Sequence, residues 1–239
     1  MIADMSDGDA AWAAELMERR RQEYARYSPV FWRPAAGVTD LHRRFLARVI
    51  AHERVIALRS PHAFVICQRR GAEGVVDDFA VQPPGTWADD GAVLLRALAE
   101  RLAQAGGASA LRVVTANADR PKVAMLEALS LTLAEQWWVR PLKPAPAGPE
   151  GATVLPERVD GPGFSGTLTA APGVYAPGGP VFQTDRIEPD ADLAAVERGA
   201  ARRGAVLAVI PAVPESALAA NLRRGGWTVA SDWYLGWPA

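Results

Sequence analysis

Asp77 and Asp78 stand side by side in an apolar, largely β-branched run from Val75 to Val81. Paired carboxylates on a strand are candidates for general acid–base work when one of them faces a cleft. Successive strand residues face opposite sides, so only one of the two is expected to point inward. Asp78 is preferred, because Val76 and Ala80 share its face while the larger Phe79 and Val81 share that of Asp77. The competing reading is a solvated strand acid. Pro83, Pro84 and Gly85 end the run, since prolines cannot donate to a ladder. A helix follows, with Leu94, Leu95, Leu98 and Leu102 on one stripe. A strand that feeds a helix N-terminus through a short loop presents backbone N–H groups to an anion. Asp89 and Asp90, at the start of that helix, either crowd such an anion or complement the helix dipole.

Other reactive side chains offer less. Cys67 lies in the apolar run Ala63-Phe-Val-Ile-Cys67 and reads as a buried strand thiol, not a nucleophile. His42, His52 and His62 lack metal-ligand spacing, so no metal is expected, and each reads as a surface or core histidine. Arg19, Arg20 and Arg21 lie among Glu15, Glu18 and Glu23 and read as a solvated helix face.

The surrounding elements follow from periodicity and punctuation. Helices are expected from Ala10 to about Tyr27 and from Thr39 or Asp40 to about Ile50, the second with Leu41, Phe45, Leu46 and Val49 inward. Between them runs an aromatic connector, Tyr27-Ser-Pro-Val-Phe-Trp-Arg-Pro-Ala35. Strands are expected over 54–58, 62–69 and 75–81, then the leucine helix, a strand over Ala110–Ala116, a helix from Asp119 to Leu129 and a strand from Leu131 to Val139. Pro141 to Gly151, rich in Pro, Gly and Ala, reads as a linker. The second half then echoes the first: Val206–Ile210 parallels Leu111–Thr115, Leu222 parallels Leu126, and Trp233 parallels Trp137. An echo of this length implies duplication of one αβ unit.

Val81, Pro83, Gly91, Leu94 and Leu95 fall without a gap on the pattern V-x-P-x-x-R-G-x-G-x-G-x-x-L-L. The segment thus resembles the acyl-CoA-binding loop of the GNAT N-acyltransferase superfamily, and the element order resembles a GNAT domain. Thr86 stands at the family's Arg position, and Trp87 and Asp89 stand at its first two glycines. The resemblance implies an α/β fold, a mixed central sheet with flanking helices, as two GNAT-like units in tandem. Residues 1–142 form the first domain, 143–160 the linker, and 161–239 a degenerate copy that lacks the phosphate loop. It implies acetyl-CoA or another acyl-CoA as co-substrate, held by Phe79, Ala80, Val81, Thr86, Trp87, Ala88, Asp89, Asp90, Gly91, Ala92 and Asn117. It also implies a V-shaped splay between the two central parallel strands for the pantetheine arm. Asp78 or Asp77 would deprotonate the amine. Tyr27, Phe31, Trp32, Arg33 and Trp138 would line the acceptor site. Leu126, and Leu222 in the second copy, occupy the place where the family often has a thiol-protonating Tyr.

Composition narrows the classes. The chain has 239 residues, 49% hydrophobic and 22% charged, with a net charge of −1. That balance suits a globular protein and gives no general field for nucleic acid. One cysteine excludes an intrachain disulfide framework. No apolar stretch approaches the roughly 20 residues of a membrane span, and the N-terminus lacks a signal-like apolar region, so a cytoplasmic monomer or homodimer is expected. The expected function is N-acyl transfer to a small amine or amino-acid-like acceptor. The alternatives are a non-catalytic ligand-sensing or protein-binding module and, less favoured on charge, transfer from an acyl carrier or an aminoacyl-tRNA.

Overall fold

The computed structural model describes residues 1–144 and 155–237. In chain order the elements are β1 (Ala3–Asp4), α1 (Ala10–Tyr27), α2 (Val38–Ile50), β2 (Val55–Arg59), β3 (Ala63–Arg70), β4 (Glu73–Val81), α3 (Asp90–Ala105), β5 (Ala110–Ala116), α4 (Arg120–Ala128), β6 (Thr132–Pro141), β7 (Glu157–Gly161), β8 (Phe164–Thr169), β9 (Val181–Ile187), α5 (Leu193–Arg202), β10 (Leu207–Ala212), α6 (Ala217–Arg224) and β11 (Thr228–Gly236). The expected α/β class, with mixed sheet pairing and flanking helices, is the one observed. Strands β1, β7 and β8 were not expected. None of the described helices is long and apolar enough to cross a membrane.

The chain forms two compact units, and neither is a contiguous half. The first comprises Met1–Tyr24, Gly37–Ala134 and the chain from Asp232 onward; the second comprises Ala25–Ala36 and Glu135–Ser231. The expected partition into 1–142, 143–160 and 161–239 does not follow these limits, and residues 145–154 of the expected linker lie outside the described residues. Most of β6, expected to close the first domain, belongs to the second unit, and the end of β11 belongs to the first.

In the first unit β1, β2, β3, β4 and β5 are adjacent in that order, with β11 next to β5. The Leu111 N–H donates to the Trp237 carbonyl there. β2, β3 and β4 pair antiparallel, and β4 and β5 pair parallel. Helices cover both faces, which is why Ala63–Cys67 reads as a continuous apolar run. Val76, Phe79 and Val81 join Leu94, Leu95, Leu98 and Leu102 of α3 in one core, while Phe64, Ile66 and Ala80 join Leu16 and Met17 of α1 and Leu46 of α2 in another. Each fully buried leucine contributes roughly 1.5–3 kcal/mol to folding. Cys67 is buried as expected, and burial pushes its thiol up to about 12.

In α2 the buried line is Val38, His42 and Leu46, whereas Leu41 and Phe45 are exposed. Leu46 and Val49 pack inward as expected, but Leu41 and Phe45 do not, and His42 takes the inward place between Val38 and Leu46.

The second unit orders its strands β6, β10, β9, β8, β7. β9 and β10 are parallel, and β7, β8 and β9 are antiparallel. This repeats the pattern of β2 to β5. The aromatic connector packs on this unit. Trp32 donates its indole N–H to the Ala230 carbonyl at 3.0 Å, and Phe31 stands edge-on to both Trp32 and Trp137.

Candidate functional site

The site begins with two irregularities of β4. Its parallel ladder with β5 runs from Glu73↔Ala110 to Val76↔Val113 and stops. Beyond that point the two strands continue without pairing, the splay expected of the fold. At the same level the register with β3 shifts, because Val76 pairs with Cys67 but Phe79 pairs with Val65. Asp77 and Asp78 together oppose Ile66, which makes a β-bulge. Val76 and Phe79 therefore share one core, and simple alternation fails for the two residues between them. The alternation on which the choice between the two acids was based therefore does not apply at this point of β4.

The two carboxyls differ in environment. Asp78 is bound by His42 Nε2, 3.0 Å from its Oδ1. Burial pushes the Asp78 carboxyl up, but the His42 charge and hydrogen bond, with Arg21 and Lys122, hold it below the usual range. Asp77 stays open to solvent although protein surrounds it. Burial and the neighbouring Asp78 charge push it up to about 6, against the pull of Lys122, Arg21 and Arg70. One acid is tied and acidic, and the other is accessible and poised near neutrality.

A buried polar cluster lies at the open end of β5. Lys122 Nζ donates to the Val114 carbonyl at 2.8 Å, the first carbonyl past the ladder. Asp119, at the N-cap position of α4, does not cap that helix with its side chain; its Oδ2 takes Arg20 and the Tyr24 hydroxyl, the latter at 3.2 Å. Burial lowers the Lys122 ammonium. Burial raises the Tyr24 phenol, but the Lys122 and Arg20 charges and the hydrogen bonds of Thr115 and Arg20 more than offset it and leave it lowered.

Trp87 closes this region from the α3 side. It is 1% exposed, stands edge-on to Phe79 at 4.8 Å, and carries Arg20 and Lys122 over its ring at 5.0 and 5.2 Å. Gly91 serves this ring. A Cβ there would lie 2.8 Å from Trp87 Cε3, so the glycine that matches a phosphate-loop position is required by the indole. Between α3 and α4 runs a groove of about 430 Å³, lined by Gly85, Trp87, Ala88, Ala92 and Arg96 on one side and by α4 residues such as Pro121 and Ala124 on the other. Asp89 and Asp90 are not among its lining residues, and the first turn of α3 has no side-chain cap.

Of the other residues singled out from sequence, Phe79, Ala80 and Val81 are buried on the stretch of β4 that pairs with β3 but not with β5, and Thr86 is half-buried with its hydroxyl on the Pro83 carbonyl. The Asn117 amide donates to Asp232 at 2.9 Å. Tyr27, Phe31, Trp32 and Arg33 belong to the second unit, where Arg33 gives its carbonyl to Ala176 and its side chain is exposed. Trp138 is buried in that unit's core beneath Arg223. These five belong to the second unit. Arg20 and Arg21, read as solvated, are buried at 4% and 2% exposure. The signal was present: Leu16, Arg20 and Tyr24, and Met17 with Arg21, follow a four-residue spacing on the apolar stripe of α1.

No family model matches the chain, and no curated protein matches it in sequence. Solved structures do. A Thermoplasma acidophilum protein provisionally assigned as an acetyltransferase matches with TM-score 0.58 at 12% identity, over 98% of each chain. A GCN5-related N-acetyltransferase from Sphaerobacter thermophilus matches with TM-score 0.56 at 13% identity, over 98% of this chain and 94% of the other. A tandem GNAT protein from the clavulanic acid biosynthesis pathway matches with TM-score 0.51 at 11% identity, over 98% and 97%. The chain has the GNAT acyltransferase fold.

Proposed function

We propose that the protein is an acyl-CoA-dependent N-acyltransferase acting on a small amine or amino-acid-like acceptor, with Asp77 as its base. The observation that carries this reading is the bulged Asp77, solvent-accessible in a splay of parallel strands and poised at about 6. A carboxylate in that range accepts a proton from an ammonium with little mismatch to working pH. The Asp78–His42 pair keeps a second negative charge beside it and so sustains its basicity.

The co-substrate would supply the acyl group as a thioester. The uncapped amides of the α3 first turn and Arg96 along the groove suit a diphosphate. Main-chain groups of β4 past Val76 are free of the β5 ladder and could donate to a tetrahedral oxyanion. Tyr24 brings a phenol from α1 to the open end of β5, where it could protonate a leaving thiolate in place of the missing α4 tyrosine.

The expected test is thiol release from acetyl-CoA over an amine panel. Wild type should turn over at least one amine, and Tyr24→Phe should slow it by roughly 10²-fold. Absence of both coenzyme binding and turnover would overturn the reading. A second reading, a non-catalytic ligand-sensing module, is favoured by one feature: Trp87, Lys122 and Arg20 are packed together at the mouth of the splay. Turnover of any amine would remove it.

A further inference from the structure

The second unit repeats, in its own strands, the irregularities that shape the first. The parallel ladder of β9 and β10 runs from Leu207↔Val181 to Val209↔Gln183 and stops. β10 goes on pairing with β6 as far as Ala212↔Gln136, and β9 with β8 as far as Ile187↔Phe164. The two parallel strands therefore part from each other while keeping their outer neighbours. Within that stretch Thr184 pairs with Gly166 and Arg186 with Ser165, which leaves Asp185 as the extra residue of a β-bulge.

A cleft of about 590 Å³ lies in this splay, with Thr184, Asp185 and Ile187 of β9 on one wall and Pro211 and Ala212 of β10 on the other. That volume lies in the range of small-molecule sites. Its polar groups favour one sign of charge. Glu135 of β6 lines the cleft, is half-buried and makes no ion pair among the described residues; its Oε1 takes the Trp137 indole N–H at 2.7 Å. A carboxylate withdrawn from water without a countercharge is disfavoured, so it calls for a cation. Asp185 adds a second carboxylate, whose Oδ2 is held by Arg158 at 2.8 Å and by the Thr167 hydroxyl at 3.1 Å. The one cation of the lining, Arg186, is exposed and faces Glu188 at 3.7 Å. Thr184 lines the cleft at 5% exposure, and its hydroxyl meets no hydrogen-bond partner among the described residues. The amino end of α5 offers no place for a phosphate, because Asp192 caps it by accepting from the Ala194 N–H at 2.9 Å.

We propose that the splay of the second unit is a binding site for a small organic amine, whose ammonium donates to Glu135 and to the Thr184 hydroxyl while its carbon body lies against Ile187, Pro211 and Leu218. The site lies in the unit without a phosphate loop, needs no coenzyme, and does not depend on the transferase reading.

The experiment is two-dimensional NMR of the full, isotope-labelled chain, without coenzyme, titrated with n-hexylamine, n-hexanol and hexanoate. It is followed at the Trp137 indole N–H and at the Thr184 and Asp185 amides. n-Hexylamine should shift these signals and saturate them, n-hexanol should bind roughly tenfold more weakly, and hexanoate should not bind there. Glu135→Gln, which keeps an acceptor for Trp137, should bring the amine down to the level of the alcohol. Thr184→Val should weaken the amine severalfold, and Asp77→Asn, in the other splay, should leave these shifts unchanged. Hexylamine binding no better than hexanol, a preference for the amine that survives in folded Glu135→Gln, or shifts that vanish with Asp77→Asn would overturn the site.

Discussion

Asp77 pays for its reactivity in stability. Its carboxyl is pushed from an ordinary 3.8 to about 6. A folded state that holds a proton more tightly than the unfolded chain loses stability as pH rises between those values, and the deficit persists above them. Asn carries no charge to bury. Asp77→Asn should therefore melt above wild type at pH 7 and show no such advantage below pH 4, as read by thermal denaturation; equal melting at both would contradict the assigned environment. Asp78, held low by His42, has the opposite sign: its ionised form stabilises the fold above its unfolded pKa, and that contribution is lost on acidification. The acid pair itself was legible, because two aspartates in an apolar run are conspicuous. Their roles were not, because they depend on a register shift against β3 that no local pattern encodes. The partner His42 was missed because Leu41 and Phe45, its more apolar neighbours in α2, were expected inward in its place.

At the scale of elements, the β4–α3 corner was read by spacing, and the spacing located the turn but not the ring packed on it. Gly91 matches a phosphate-loop position, yet the ring of Trp87 occupies the space that its absent side chain leaves. That ring is fixed by Phe79, Arg20 and Lys122 and has little room to yield. Gly91→Ala should thus cost about 1–3 kcal/mol by overpacking, measured by urea denaturation; a neutral outcome would show that the indole moves freely. α1 gives the complementary lesson. Charged residues among glutamates look solvated, but phase on the helix outranks composition, and Arg20 and Arg21 fall on the apolar stripe.

Across the whole chain, the echo between Leu126 and Leu222 and between Trp137 and Trp233 was visible in sequence, and the order strand, helix, strand recurs in both halves. The allocation of closing strands was not visible. The chain from Asp232 onward belongs to the first unit, where Tyr234 is buried in the main core and donates to Glu127 at 3.1 Å. Two similar strands at the ends of two similar repeats satisfy the same hydrophobic pattern, so local sequence does not choose between them. Truncation after Ser231 should therefore destabilise the first unit, although it contains the N-terminus. Hydrogen exchange would show lost protection in β5 and α4; unchanged protection there would contradict the placement of β11.

The most direct measurement of the central claim is the pH dependence of thiol release from acetyl-CoA with a reactive amine, in wild type and Asp77→Asn side by side. The wild-type rate should rise through about pH 6 to a plateau, following ionisation of Asp77, and the variant should lose roughly 10²-fold or more of the plateau rate along with that rise. Identical profiles in the two proteins, or no thiol release by wild type at any pH, would contradict it.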